Sequence, residues 1–226
     1  MDGIHDLGGK QGFGHVETNE SGPALPEHWQ GFVFALVQQL YRLQVSENVD
    51  HFRHSVERIS PAAYLSDGYY GRWLGAAETM LVEKGLITQQ ELDQAVAQRG
   101  SVHPAAARPS LTPDQFPPRD EDEERPRTGE RDVREAPKFQ VGAQVRTQRH
   151  GKIGHTRLPA YARDVVGTVV SHHNAWIYPD THAHGQGEAP EHLYTVKFLA
   201  EDLFGENCEA GTEVCIDLFE PYLDPV

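Results

Sequence analysis

FRHSVERISPAAYLSDGYYGRW, residues 52–73, joins the ends of several helices and carries a cation where an apolar side chain belongs. At about 100° per residue, Val49, Phe52, Val56 and Ile59 form one apolar arc, while His51, His54 and Arg58 point elsewhere. Arg53 falls inside that arc. A guanidinium cannot neutralise itself by losing a proton, so on such a stripe it requires an anion or several fixed acceptors. Ser60-Pro61 reads as an N-cap followed by proline at the first helical position, and Ser66-Asp67-Gly68 interrupts the chain before another helix. On that helix Tyr69, Trp73, Ala76, Ala77, Met80 and Leu81 share a face. Two readings follow. The arginine, phenol and indole either form a binding wall or belong to a helical-hairpin core with one arginine tied to a carbonyl.

Outward from this stretch the chain divides into four parts and predicts an α+β protein. Residues 1–25 are rich in glycine and poor in apolar side chains, which makes them a loose terminus or an extended arm laid across another surface. Residues 26–100 form a helical domain. In it Trp29, Phe32, Val33, Leu36, Val37, Leu40 and Leu43 recur at helical spacing, Ser46 caps the helix carrying Arg53, and Lys84-Gly85 is a stop. Thr88 and Glu91 have capping-box spacing and start a last helix that ends near Gly100. Residues 101–137 combine prolines with the acidic run Asp120–Glu124, so they read as an extended linker, solvated or wrapped on a partner. Residues 138–226 contain VGAQVRT, VVGTVVSH, HLYTVKFL and EVCIDLFEPYL, short runs expected to build a small SH3-like β-barrel. The long loop between the first two runs presents Arg157 beside a rigid Leu158-Pro159 step.

A formal net charge of −14 over 226 residues opposes nucleic-acid or anionic-membrane binding, because both surfaces are negative. No run approaches the ~18 apolar residues of a membrane span, and the first residues lack a signal-peptide pattern, so a cytoplasmic location is expected. Cys208 and Cys215 lack disulfide-framework or zinc-motif spacing. Histidines are abundant, thirteen in all, yet the His182-x-His184 pair and its neighbours follow no ligand spacing, and they read as surface-loop residues with no metal bound by this chain. Gly12-Phe13-Gly14 lacks the strand, third glycine and helix of a dinucleotide loop, and no G-x-S-x-G elbow occurs. The residues supply two arginines and an aromatic wall, but no nucleophile, metal or cofactor loop.

MDGIHDLGG at the start, the FR…ER-I-x-P-x-x-YL…YY…W block, GHTRLPAYAR, HHNAWIYPD…EHLYTVKF and the final DLFEPYL together resemble the β subunit of nitrile hydratase in its cobalt-type form. The resemblance spans nearly the whole chain. It implies a partner α subunit that holds Co(III) or Fe(III) in a C-x-x-C-S-C loop with two oxidised cysteines, in an α2β2 or larger heteromer that hydrates a small nitrile to an amide. It also implies that Arg53 and Arg157 hydrogen-bond those oxidised sulfurs, that Tyr69 is a polar handle beside the substrate, and that Val49, Phe52 and Trp73 line the apolar side of the pocket. Gly71-Arg72 departs from the bulkier or imidazole side chains found in relatives, which implies a roomier pocket. The alternatives are a thiocyanate hydrolase-like subunit and an accessory, metallochaperone-like partner of the α subunit.

Overall fold

The computed structural model describes residues 3–15, 27–98, 129–150, 153–206 and 208–226. Most of the stretch read as a connector therefore lies outside the described residues. The helical half comprises α1 (His28–Arg42), α2 (Val49–Glu57), α3 (Pro61–Ser66), α4 (Gly68–Glu83) and α5 (Gln89–Ala97). Ser60 accepts a hydrogen bond from the Ala63 amide with Pro61 at the first helical position, and Thr88 and Glu91 close a capping box. Gly85, at φ +66, follows the last turn of α4. The packed centre is Val37 and Leu40 of α1, Val45, Phe52 of α2, and Ala76, Ala77 and Met80 of α4. The small side chains of α4 admit close helix contact there. Phe32 and Leu43 remain exposed, since the apolar stripe of α1 is wider than the neighbouring helices cover.

Asn48, not Ser46, caps α2. The Asn48 side chain accepts from the amides of Asp50 and His51, and its own amide donates to the His182 carbonyl at 2.9 Å. Ser46 is buried, with its hydroxyl turned to the Asn48 carbonyl.

The second half is an antiparallel sheet of β1 (Glu130–Arg131), β2 (Gln144–Thr147), β3 (Val166–Trp176), β4 (Glu191–Leu199), β5 (Glu213–Phe219) and β6 (Leu223–Pro225). The strands run in the order β5-β4-β3-β2-β6, with β1 paired to the far end of β3. The expected barrel does not close: β5 bonds β4, β6 bonds β2, and no ladder joins β5 to β6. A 3-10 turn, Glu220–Tyr222, carries the chain from one edge to the other, and two irregularities in β3 bend the middle of the sheet. Short helices α6 (Pro179–His182) and α7 (Ala200–Phe204) flank it. Val145, Val169, Val196, Phe198 and Leu218 form its core with Tyr194 and Tyr222. Glu130 and Arg131 fall inside the stretch read as a connector, so the sheet takes up its end.

The N-terminal arm lies across its own chain. Asp6 accepts from the Ala160 amide at 2.9 Å, and Gly8 passes so close to the Tyr161 ring that an added Cβ would stand 2.6 Å from it. Among the described residues, no helix is long and apolar enough to cross a membrane.

Because Asn48 both caps α2 and bonds the β half, Asn48→Ala is expected to cost about 1–2 kcal/mol of stability in urea unfolding, with Asn48→Asp, which keeps the cap acceptor, losing less.

Candidate functional site

The apolar arc of α2 serves both readings, with Phe52 packed into the helical core and the arc also facing an open cavity of ≈ 410 Å³. Val49, Phe52, Arg53 and Val56 contribute to its wall, and the aromatic face of α4 adds Tyr69 and Trp73. Arg157 enters from the loop before β3, so all six residues singled out in the sequence meet in one place. The aromatic side is continuous. Trp73 stacks edge-on against Phe52 with ring centroids 5.2 Å apart and tilts against Tyr69 at 5.3 Å. Tyr64 completes that side, with Arg72 turned onto its ring at 4.3 Å and donating to its carbonyl.

Arg53 is not buried, contrary to its position on the stripe: its side chain is 49 % exposed, with one nitrogen 3.1 Å from Asp50. The buried face of α2 is Asp50, Phe52, His54 and Ser55. Asp50 also receives His182 Nδ1 at 2.9 Å, which fastens α2 to α6. Arg157 is held through its backbone. Its amide donates to the Tyr222 hydroxyl at 3.1 Å, Tyr222 in turn donates to Asp180, and Leu158 is buried beside it. Burial raises the Tyr222 and Tyr178 phenols, and the Asp180 carboxylate between them raises them further, so both remain donors.

Beneath the arginines lies a set of groups absent from the sequence-based site. Glu57, at the end of α2, also lines the cavity, and its Oε2 receives His155 Nδ1 at 2.9 Å and His54 Nδ1 at 3.5 Å. His5 from the arm stands 3.9 Å from the other oxygen. His155 is wholly buried, with Nε2 unpartnered and 4.0 Å from Asp50. His184 meets the His54 ring edge-on at 4.6 Å and accepts from the His155 amide at 3.1 Å. Gly154, at φ +100, has no room for a Cβ against that ring. His155 is therefore buried in the seam between α2 and the β half and His182 is half-buried in it, neither of them a surface-loop residue, whereas His184 remains exposed in the turn after α6. Nothing local marks them, because each partner lies far away in sequence; His155 at least sits inside the GHTR run that supplied Arg157.

Burial by itself would raise the Glu57 carboxyl. The hydrogen bonds from His155 and His54, with the electrostatic influence of His155 and His5, outweigh it and bring it from 4.5 to about 2. Burial lowers His5 and His184, and neighbouring imidazoles lower His184 further.

His54, Glu57 and His155 place one ligand-type atom each within 4.8 Å of one another, a set that could hold a metal ion. Its one shared oxygen is already the acceptor of both imidazole donors, so an ion would have to displace those contacts.

A family model described as nitrile hydratase beta subunit, N-terminal, matches residues 1–124, and one described as nitrile hydratase beta subunit, C-terminal, matches residues 128–225. A nitrile hydratase subunit beta of Rhodococcus erythropolis is 38 % identical over 100 % of this chain and 99 % of its own. A cobalt-containing nitrile hydratase subunit beta of Pseudonocardia thermophila is 35 % identical over 100 % and 97 %. A thiocyanate hydrolase apo-enzyme chain from Thiobacillus thioparus, 28 % identical, covers 39 % of this chain and 76 % of its own at a TM-score of 0.37, too low to bear on fold or function.

A carboxyl held below its unfolded value adds stability above about pH 4.5 that is lost as pH falls towards 2. Glu57→Gln should therefore flatten the acid-side decline of stability across that window, read as urea midpoints measured from pH 5 to 2.

Proposed function

The chain belongs to the nitrile hydratase β-subunit family, whose enzyme hydrates nitriles to amides, and from that premise we propose that it completes the active site of an α-subunit partner by presenting Arg53 and Arg157 to it. The observation that carries the reading is the meeting of these two cations, from α2 and from the loop before β3, on the wall of one open cavity beside an aromatic face. An α subunit as partner follows from the family itself. An α2β2 or larger assembly, a cytoplasmic location, and the division into arm, helical unit, connector and β unit belong to the proposal.

The cavity does not fit as the cobalt site. Its lining offers no thiolate, and two permanent cations repel a metal ion. The same pair fits an anion, so the proposal gives the Co(III) or Fe(III) centre to the α subunit, where it would supply Lewis acidity towards the nitrile or water. The cobalt-containing names of relatives support cobalt for the complex. In this reading Arg53 and Arg157 donate to the oxygens of the partner's oxidised cysteines. Planar guanidinium suits an oxygen pair because its N–H groups form a fixed fork, which a lysine ammonium cannot reproduce. Tyr69 offers a phenol at the cavity wall to orient the polar end of the substrate, while Val49, Phe52 and Trp73 exclude water from its apolar end. The full-length matches favour this reading over the thiocyanate hydrolase-like and accessory-protein alternatives.

In the αβ complex, Arg53→Lys and Arg157→Lys are each expected to lower kcat roughly ten- to a hundredfold, the equivalent of about 1.5–3 kcal/mol for one charged hydrogen bond, with assembly retained. Amide formation alongside gel filtration checks this. Unchanged turnover in both variants would overturn the proposal.

A further inference from the structure

We propose that His172 and His192 form a pH-sensitive latch, closed at neutral pH, that holds the stretch leading into the β unit, residues 132–137, on the sheet and releases it in acid. The inference goes beyond the reading of the two arginines and does not depend on it.

The stretch is pinned at both ends. Ahead of it, Glu130 and Arg131 pair with Trp176 and Ala175, and Arg131 is bound to Glu188 at 2.6 and 2.7 Å. Behind it, the Lys138 amide donates to Glu220 at 3.0 Å, and Phe139 is buried. Residues 134–137 are exposed, so little burial holds the chain between these anchors. There His192 of β4 reaches it, with Nε2 2.9 Å from the Glu135 carbonyl. His192 Nδ1 lies in turn 3.0 Å from His172 Nε2 on β3. The register shifts at this point, so that the step from His172 to Ala175 on β3 faces the shorter step from Tyr194 to His192, and Asn174 takes φ +58. The two imidazoles stand 5.0 Å apart, and the Tyr194 ring tilts against both.

These contacts fix the protons. A carbonyl only accepts, so His192 carries its hydrogen on Nε2 and its Nδ1 is a bare lone pair. His172 must then donate through Nε2, which leaves its own Nδ1 to take an added proton. One proton is accommodated in this way. A second has only the accepting nitrogen of His192 left, and it makes the contact one between two cations with a donor on each side. The pair then separates, and His192 gives up Glu135.

The surroundings favour the uncharged state. Burial lowers His172, and the imidazoles of His192 and His173 lower it further. Glu220 acts the other way, but its carboxylate already accepts from the Tyr194 hydroxyl at 2.6 Å and pairs with Lys138 at 3.1 Å. His173 is turned to Thr195 and Asp217. With His172 held below its ordinary 6.5, the latch contributes in full above that value and loses its contribution as pH falls beneath it.

The test is hydrogen exchange of the assembled αβ enzyme, followed by mass spectrometry at about pH 7.5 and about pH 5, with rates corrected for the intrinsic effect of pH. The peptides span residues 132–141, whose Lys138 and Phe139 amides are hydrogen-bonded when the latch is closed. The wild-type chain is expected to exchange there roughly fivefold faster in acid, with β4 unchanged. In His172→Gln the side-chain amide can donate to a neutral His192 or accept from a charged one, so the acid rise should vanish. His192→Ala should exchange fast at both pH values. A wild-type rate that does not change, an acid rise that persists in His172→Gln, or full protection at neutral pH in His192→Ala overturns the inference. Should His192→Ala fail to assemble, the wild type and His172→Gln decide alone.

Discussion

A guanidinium carries its charge at every accessible pH, so a cavity that presents two of them must keep its own carboxylates occupied elsewhere. Glu57 lines that cavity, Asp50 stands one turn before Arg53 on α2, and imidazoles bond both. Arg53 is engaged through a single nitrogen by Asp50, and half its side chain remains exposed. The seam of histidines between α2 and the β half is thus an electrostatic device as well as a fastening. It occupies the acids at short range and leaves Arg53 all but one of its nitrogens for the role the proposed function gives it.

The same seam explains why the two halves of the chain pack as they do. Their contact includes a run of polar groups: the Asn48 amide on the His182 carbonyl, Asp50 on His182, Glu57 on His155, and His184 edge-on to His54. Buried polar contacts of this kind specify one arrangement, because any shift leaves a donor or acceptor unsatisfied at a cost of about 1–3 kcal/mol. On the far side, Tyr222 and Asp180 pass the position of the sheet to the Arg157 backbone. The arm adds its own contacts, with Asp6 on the Ala160 amide just beyond Leu158.

Much of this was legible where the signal is local. Ser60-Pro61, Lys84-Gly85 and the Thr88–Glu91 box announce helix ends through neighbours three or four positions away, and all three stand in the structure. The short runs of the second half, VGAQVRT, VVGTVVSH, HLYTVKFL and EVCIDLFEPYL, likewise announced the strands. Local reading misled at Ser46, a good capping residue two positions too early, where burial and the Asn48 carbonyl claim the hydroxyl instead. It overshot at the barrel, because closure depends on β5 meeting β6, and no short-range pattern reports a ladder between two edges. The histidines were the larger omission. His155 acquires its role from Glu57 and His184 from His54, separations that no spacing rule spans. Arg53 and Arg157 were found by composition, chemistry and resemblance to a known family, yet the groups that place them were not.

The distribution of polarity around the cavity argues for a partner independently of family. In a monomer, charged groups belong at the rim and apolar ones at the floor. Here Glu57 and His155 are buried beneath, while Val49, Leu65 and Tyr69 are about half to two-thirds exposed on and around the wall. An apolar rim over a polar floor has little to gain from water and much to gain from a second surface that covers the rim and, in the proposed reading, brings an anion with it. Two guanidiniums carried by a rigid seam, with Arg53 engaged through one nitrogen only, would meet such an anion with little rearrangement, so most of the ordering cost falls on folding and not on each catalytic cycle.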